Sequence, residues 1–267
     1  ARGNGLLAAP FDPNQIKISG QPVPVLDGIM LNALAGVAYF SISATGSLVY
    51  AAGGALDKST PVWVDRDGKA QKLPIAAQTY AHFKLSPDGK QLAILVPGVK
   101  DNLWFFDVET GNGTPLTEQG INAYPVWTHD GSRFFFSSMR GSKSGIYGKA
   151  KDGSQQHAEL LHEFQSPGLI VWLQECFPDS SRLLVVTSSK GSNEAFALSL
   201  DSTHKLEPIP SLNNTWFVRF SPDGRWISFT TARTGRSEVY VQPYPTGNQV
   251  QISFDGGEEA MWSAKGD

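Results

Sequence analysis

The chain is short of cysteine, of charge and of long apolar runs. One cysteine, Cys176, is present in 267 residues, which excludes an intrachain disulfide and leaves stability to a packed core. It lies in the strand-like run Val171-Trp172-Leu173-Gln174-Glu175-Cys176-Phe177, so a small buried thiol is expected. Charged residues make up 18% of the chain and the net charge is −3, so no broad basic surface calls for nucleic acid. No apolar run approaches the roughly 20 residues that a spanning helix needs, and no membrane insertion is expected within these residues. The chain opens Ala1-Arg2-Gly3-Asn4-Gly5, with neither an initiator Met nor a basic-then-apolar leader. A processed chain or an excised domain is expected, and export is left open.

Catalytic and metal-binding signatures are missing too. There is no Gly-rich phosphate loop with a catalytic-Asp loop and a metal-binding Asp, and no nucleophile elbow on an α/β stretch. Gly141-Ser142-Lys143-Ser144-Gly145 has a superficially similar spacing but reads as a polar hairpin loop. His157 and His162 are five apart on an edge strand, which puts them on opposite faces and not in a zinc pair. No metal and no cofactor is expected.

What is present is a repeat. A short turn between two apolar runs recurs six times, ending at Gly46, Gly89, Gly131, Ser180, Gly224 and Gly266, with spacings of 43, 42, 49, 44 and 42 residues. Its clearest copies are Leu85-Ser86-Pro87-Asp88-Gly89 and Phe220-Ser221-Pro222-Asp223-Gly224. Such a period marks a repeat architecture. Within residues 214–253 the turn joins Trp216-Phe217-Val218-Arg219-Phe220 to Trp226-Ile227-Ser228-Phe229-Thr230, and two further β-favouring runs follow. Four antiparallel strands per repeat is the blade of a β-propeller. The turn aspartates Asp88, Asp130, Asp179 and Asp223 are better read as turn formers bonding their own backbone than as calcium ligands.

The whole chain, 1–267, therefore reads as one all-β domain, a six-bladed propeller. Five blades span about 38–75, 80–117, 124–162, 167–209 and 214–253, and a composite sixth joins 1–30 to 257–267. Joining both ends in one blade protects the open sheet edges. The strand expected after Gly266 is missing from both ends, so the composite blade is expected to be three-stranded. The blade around Cys176 is the least regular, with Phe177 for the turn serine and Ser180 for the glycine.

The turns Ser86-Pro87-Asp88-Gly89 and Ser221-Pro222-Asp223-Gly224 resemble the TolB-like, or WD40-like (PD40), β-propeller repeat of bacteria, over nearly the whole chain. Gly5-Leu6-Leu7-Ala8-Ala9-Pro10-Phe11-Asp12, Pro61-Val62-Trp63-Val64-Asp65-Arg66-Asp67-Gly68 and Glu238-Val239-Tyr240-Val241-Gln242-Pro243-Tyr244-Pro245 are similar to propellers that follow the transmembrane segment of bacterial serine/threonine protein kinases, and to related exported propellers. The resemblance implies a periplasmic or extracellular sensor or interaction module, a monomer, tethered in a longer parent or free-standing. It names no ligand.

In a propeller the first strand of each blade lines the central channel, and the loops entering it form a mouth. Reading back from each turn gives the ligand-binding candidates Tyr39, Tyr80, His82, Tyr124, Trp172, Trp216, Phe217, Glu258 and Glu259. Tyr39, His82, Tyr124 and Glu259 stand four residues before the turn serine or its equivalent. Packing between blades competes with channel exposure for each aromatic, and a slip of one residue would swap which neighbours face the channel. Aromatic faces suit a protein, peptide or glycan ligand. A second candidate patch is Arg140, Lys143, Arg233 and Arg236 on hairpin loops. Three readings follow. The first is a non-enzymatic binding module. The second is a lyase or hydrolase working at the mouth through His82, Tyr124 and Glu259. The third is a structural scaffold.

Overall fold

The computed structural model describes residues 5–12, 15, 17–29, 31–32, 37–38, 40–42, 48–51, 58–65, 68–97, 101–152, 154–166, 169–189 and 191–263. Short strands come first: β1 (Leu6–Ala8), β2 (Phe11–Asp12), β3 (Lys17–Ile18), β4 (Val23–Leu26), β5 (Leu31–Asn32) and β6 (Val37–Ala38). They pair two by two, β1 with β4, β2 with β3 and β5 with β6.

Five four-stranded antiparallel blades follow, each a meander of consecutive strands. Blade 1 holds β7 (Phe40–Ile42), β8 (Leu48–Ala51), β9 (Pro61–Val64) and β10 (Ala70–Lys72). Blade 2 holds β11 (Ala81–Leu85), β12 (Gln91–Val96), β13 (Asn102–Asp107) and β14 (Gly113–Pro115). Blade 3 holds β15 (Ile121–Trp127), β16 (Arg133–Arg140), β17 (Lys143–Ala150) and β18 (Glu159–Phe164). Blade 4 holds β19 (Ile170–Cys176), β20 (Arg182–Ser189), β21 (Ser192–Ser199) and β22 (Leu206–Pro208). A 3-10 turn, Pro210–Leu212, leads to blade 5: β23 (Trp216–Phe220), β24 (Trp226–Thr231), β25 (Glu238–Pro243) and β26 (Val250–Gln251). No helix among the described residues is long and apolar enough to cross a membrane.

The repeated turn has one chemistry. In blade 2 the Ser86 hydroxyl donates to Asp88 at 2.6 Å, and Ser86 accepts the Gln91 N–H at 2.9 Å. Thr128 with Asp130, and Ser221 with Asp223, repeat the first bond at 2.6 Å. These hydroxyls, with the backbone N–H two residues on, hold the Asp130 and Asp223 carboxyls down at about 2. Gly89, Gly131 and Gly224 close the turns at φ 71°, 68° and 69°, a region that glycine enters without strain. In blade 4, Ser180 occupies that position at φ 55°.

Side chains from adjacent blades form the core. One cluster joins blades 1 to 3 around Phe83, Ile94, Phe134 and Phe136; others join blade 3 to blade 4 and blade 4 to blade 5. A smaller cluster sets Leu6, Leu26 and Met261 against Phe40, Leu48, Tyr50 and Val62 of blade 1. Phe11 makes edge contacts with Trp226 and Trp262, so the N-terminal strands also touch blade 5.

Here the expected count of six blades is corrected to five. Among the described residues the composite blade is only the two-stranded β1–β4 sheet, and 257–263 form no strand. Matching strand-like runs at the two ends was not enough, because a strand pairs only where a neighbour offers its own backbone edge. The turns Ser43–Gly46 and Ala264–Gly266 lie outside the described residues.

Candidate functional site

The innermost strands β11, β15 and β23 carry the same irregularity. Pairing runs Ala81↔Leu95 and then Lys84↔Ala93, Ala123↔Ser137 and then Val126↔Phe135, Trp216↔Thr230 and then Arg219↔Ser228. In each strand two residues oppose one, which is a β-bulge, a device that re-aims a side chain. The first bulged residue is His82, Tyr124 or Phe217, with φ of 49°, 54° and 52°. Non-glycine residues rarely sit there, at a cost on the order of 1 kcal/mol each. Glu259, four residues before Ser263, adopts φ 53° as well. In β19 the irregularity falls instead between Leu173 and Glu175.

These four residues converge on one axial cavity of about 580 Å³. Trp172 and Trp216 line it too, so six of the nine sequence candidates share it. The other three do not. Tyr80 is 1% exposed, packs on Phe83 and Phe106, and donates its hydroxyl to the Ala76 carbonyl. Glu258 lines a separate groove beside β1. Tyr39 lies outside the described residues.

The cavity lining is also charged. Lys84 and Arg219 contribute to it, each two residues before the turn serine and just past the bulge of its strand. Lys84 Nζ is 3.9 Å from Glu175 Oε1, while Glu175 Oε2 accepts the Phe220 N–H at 2.7 Å. Arg219 Nη1 donates to the Val218 and Gln174 carbonyls at 2.9 and 3.2 Å. Burial, reinforced by the Arg219 charge and opposed by Glu175, lowers Lys84 to about 8. Burial lowers His82 to about 4, so the imidazole is neutral at neutral pH; its ring lies 4.3 Å from that of Tyr124. Lys84, Arg219 and Gln174 were not among the sequence candidates.

The hairpin cations each meet a partner within the chain. Arg140 lies over Tyr147 and Arg233 over Tyr240, while Lys143 pairs with Glu163 and Arg236 with Glu238. Cys176 is buried, its thiol pushed up to about 12 by burial, and it donates to the Arg182 carbonyl. Among the described residues no group of three or more His, Cys, Asp or Glu side chains could hold a metal.

No protein-family model matches the chain. It is 22% identical to the Tol-Pal system protein TolB of Wolinella succinogenes over 198 residues, covering 67% of this chain and 45% of that protein. The chain thus spans under half the length of this curated relative. The structure of a protein assigned as TolB in Agrobacterium tumefaciens superposes with a TM-score of 0.69 at 20% identity, over 86% of each chain. An oligogalacturonate lyase in complex with manganese superposes with a TM-score of 0.58 at 11% identity, over 98% of this chain and 91% of the lyase. The resemblance to kinase-linked propellers gains no support from these likenesses. Together with the five blades, they make the fold a TolB-like β-propeller.

Proposed function

We propose that the chain is a non-enzymatic binding module, an extracytoplasmic propeller that takes a protein, peptide or glycan partner at its channel mouth. The observation that carries this reading is the convergence of His82, Tyr124, Phe217 and Glu259 on one cavity, each held in a left-handed conformation. Backbone strain recurs at the same position of β11, β15 and β23, and outliers of this kind cluster at ligand sites. Trp172 and Trp216 add broad apolar faces, and Lys84 and Arg219 add polar selectivity. Likeness to a Tol-Pal system protein favours a protein partner, with this domain acting as a sensor or interaction module.

Peptide and glycan arrays probed with the purified chain test the reading. Hits should weaken at least tenfold in Trp172→Ala and Trp216→Ala proteins that keep their thermal midpoint. An absence of hits, or hits indifferent to both substitutions, overturns it.

The enzyme reading keeps one observation, because His82, Tyr124 and Glu259 do share the cavity. Against it, a histidine lowered to about 4 is a weak base. An oligogalacturonate is the first substrate to offer. Turnover that disappears in His82→Asn would replace the binding reading with a catalytic one.

A further inference from the structure

The axial cavity offers more hydrogen-bond donors than acceptors. Gln174 lines it from β19 and is 8% exposed. Its Oε1 accepts the Val218 N–H at 3.2 Å, which fixes the amide and leaves Nε2 as the end with no partner among the described residues. Arg219 spends only Nη1, on the Val218 and Gln174 carbonyls, and its Nε is buried without a partner. The Lys84 side chain is 21% exposed, and its ammonium is 3.9 Å from Glu175 Oε1, longer than a hydrogen bond. The Arg219 charge lowers Lys84, so the two cations are close enough to repel. Trp172 and Trp216 add indole N–H groups, which can only donate. Tyr124, neutral His82 and Asn193 can each donate and accept. Against the donors, the lining holds one carboxylate, Glu259. Glu175 is not part of the lining, and the Phe220 N–H holds its other oxygen at 2.7 Å.

We infer that the cavity recognises a partner protein by a carboxylate, an acidic side chain that enters the channel mouth and lies among Lys84, Gln174 and Arg219. This rests on the binding reading above and adds the chemistry of what is bound. Lys84 and Arg219 can only donate, and Gln174 has only its amide donors to spare, so the matching group is one that only accepts. An ionised carboxylate is the side chain that does so, and its hydrogen bonds to two cations are charge-assisted. A sugar hydroxyl brings a donor along with its acceptor and finds fewer partners here, which favours a peptide over a glycan. Two cations against one lining carboxylate leave a single positive charge to balance. One carboxylate balances it, whereas a doubly charged phosphate would leave a charge uncompensated out of bulk water. Seated between Lys84 and Arg219, the carboxylate also relieves their repulsion. Trp172, Trp216 and Phe217 supply apolar faces for the stem of the acid and for its neighbours.

The probes are pools of pentapeptides, capped at both ends, with Glu, Asp, Gln or Asn fixed at the centre and the other positions varied. The Glu or Asp pool should bind at least tenfold more tightly than its amide counterpart. This ratio is taken within each protein, so a general loss of stability does not imitate a change in it. In Lys84→Gln the ratio should fall to near one. Gln174→Glu keeps an acceptor for the Val218 N–H and turns the spare donor into an acceptor, so acidic pools should lose at least tenfold there. Equal binding of acid and amide pools, with both lost in Trp172→Ala, overturns the inference and leaves the binding reading standing. A ratio untouched by both Lys84→Gln and Gln174→Glu overturns it as well. A pool with central Gly and a free C-terminal carboxylate that binds more tightly than the Glu pool moves the site to a chain terminus and overturns the side-chain assignment. Galacturonate oligomers that bind more tightly than every pool overturn the choice of a peptide. Absence of binding by every pool overturns the inference together with the peptide form of the binding reading.

Discussion

Blade 3 and the seam between blades 5 and 1 begin from the same local signals and end differently. In blade 3, β16 and β17 pair over eight positions, and Phe134, Phe135 and Phe136 are fully buried. At the seam β1 is three residues long, Leu7 is 39% exposed and a groove of about 1120 Å³ lies alongside. Yet both regions carry the left-handed residue and a tryptophan, Trp127 or Trp262, that bonds back to the preceding blade. Local sequence and contact with the preceding blade therefore place residues 259–262 against blade 5 without making them a strand. Burying a blade takes the second strand as well, because that strand brings the ladder and most of the apolar surface.

The largest expected effect probes this difference directly. Phe136→Ala, in the cluster that joins blades 1 to 3, should cost about 3–5 kcal/mol of unfolding free energy in urea. Leu7→Ala at the seam should cost less than about 1 kcal/mol. Equal losses would mean that the seam is packed as tightly as the blades.

The next effect concerns the strained positions. His82 is lowered from 6.5 to about 4 by burial, so the folded state binds fewer protons than the unfolded chain. Stability from the neutral imidazole is whole above pH 6.5 and is lost as pH falls towards 4, by up to about 3 kcal/mol. His82→Asn tolerates the left-handed backbone and should flatten urea midpoints between those pH values. An unchanged pH profile in that variant would show that the imidazole is not desolvated.

The repeat was legible because each turn needs the same residues for the same bonds, serine or threonine to seat the aspartate and glycine for positive φ. The sixth blade was not legible in this way, because strand-like composition at both ends cannot show whether a partner edge is present. The cavity lining was legible where the count from the turn fixed position, at His82, Tyr124, Phe217 and Glu259. It was not legible at Tyr80. Two residues before His82 would share its face in a regular strand, but the bulge at His82–Phe83 breaks the alternation and leaves Tyr80 in the core. Lys84 and Arg219 escaped because charged residues on an inner strand run against burial preference. The Glu175 carboxylate and two carbonyls that receive them come from residues that composition does not connect.

A matched pair refines the comparison at smaller scale. Trp127→Phe removes a bond at a residue 4% exposed and should cost about 1–2 kcal/mol in urea melts. Trp262→Phe removes the equivalent bond at the half-buried seam, and about half that loss is expected. A larger loss at Trp262 would mean that this bond, rather than the side-chain cluster on blade 1, holds the seam together.

The smallest effect belongs to blade 4, where Ser180 stands in a glycine position. Ser180→Gly relieves a left-handed serine at φ 55°, a gain of about 1 kcal/mol. It also removes the hydroxyl that accepts the His129 N–H at 3.3 Å across blades, and it loosens the unfolded chain by about 0.5–1 kcal/mol. These terms nearly cancel, so the midpoint in urea should move by less than about 0.5 kcal/mol in equivalent free energy. A loss above about 1 kcal/mol would instead assign the serine to the joint between blades 3 and 4. The irregular turn would then be a means by which blade 4 holds blade 3.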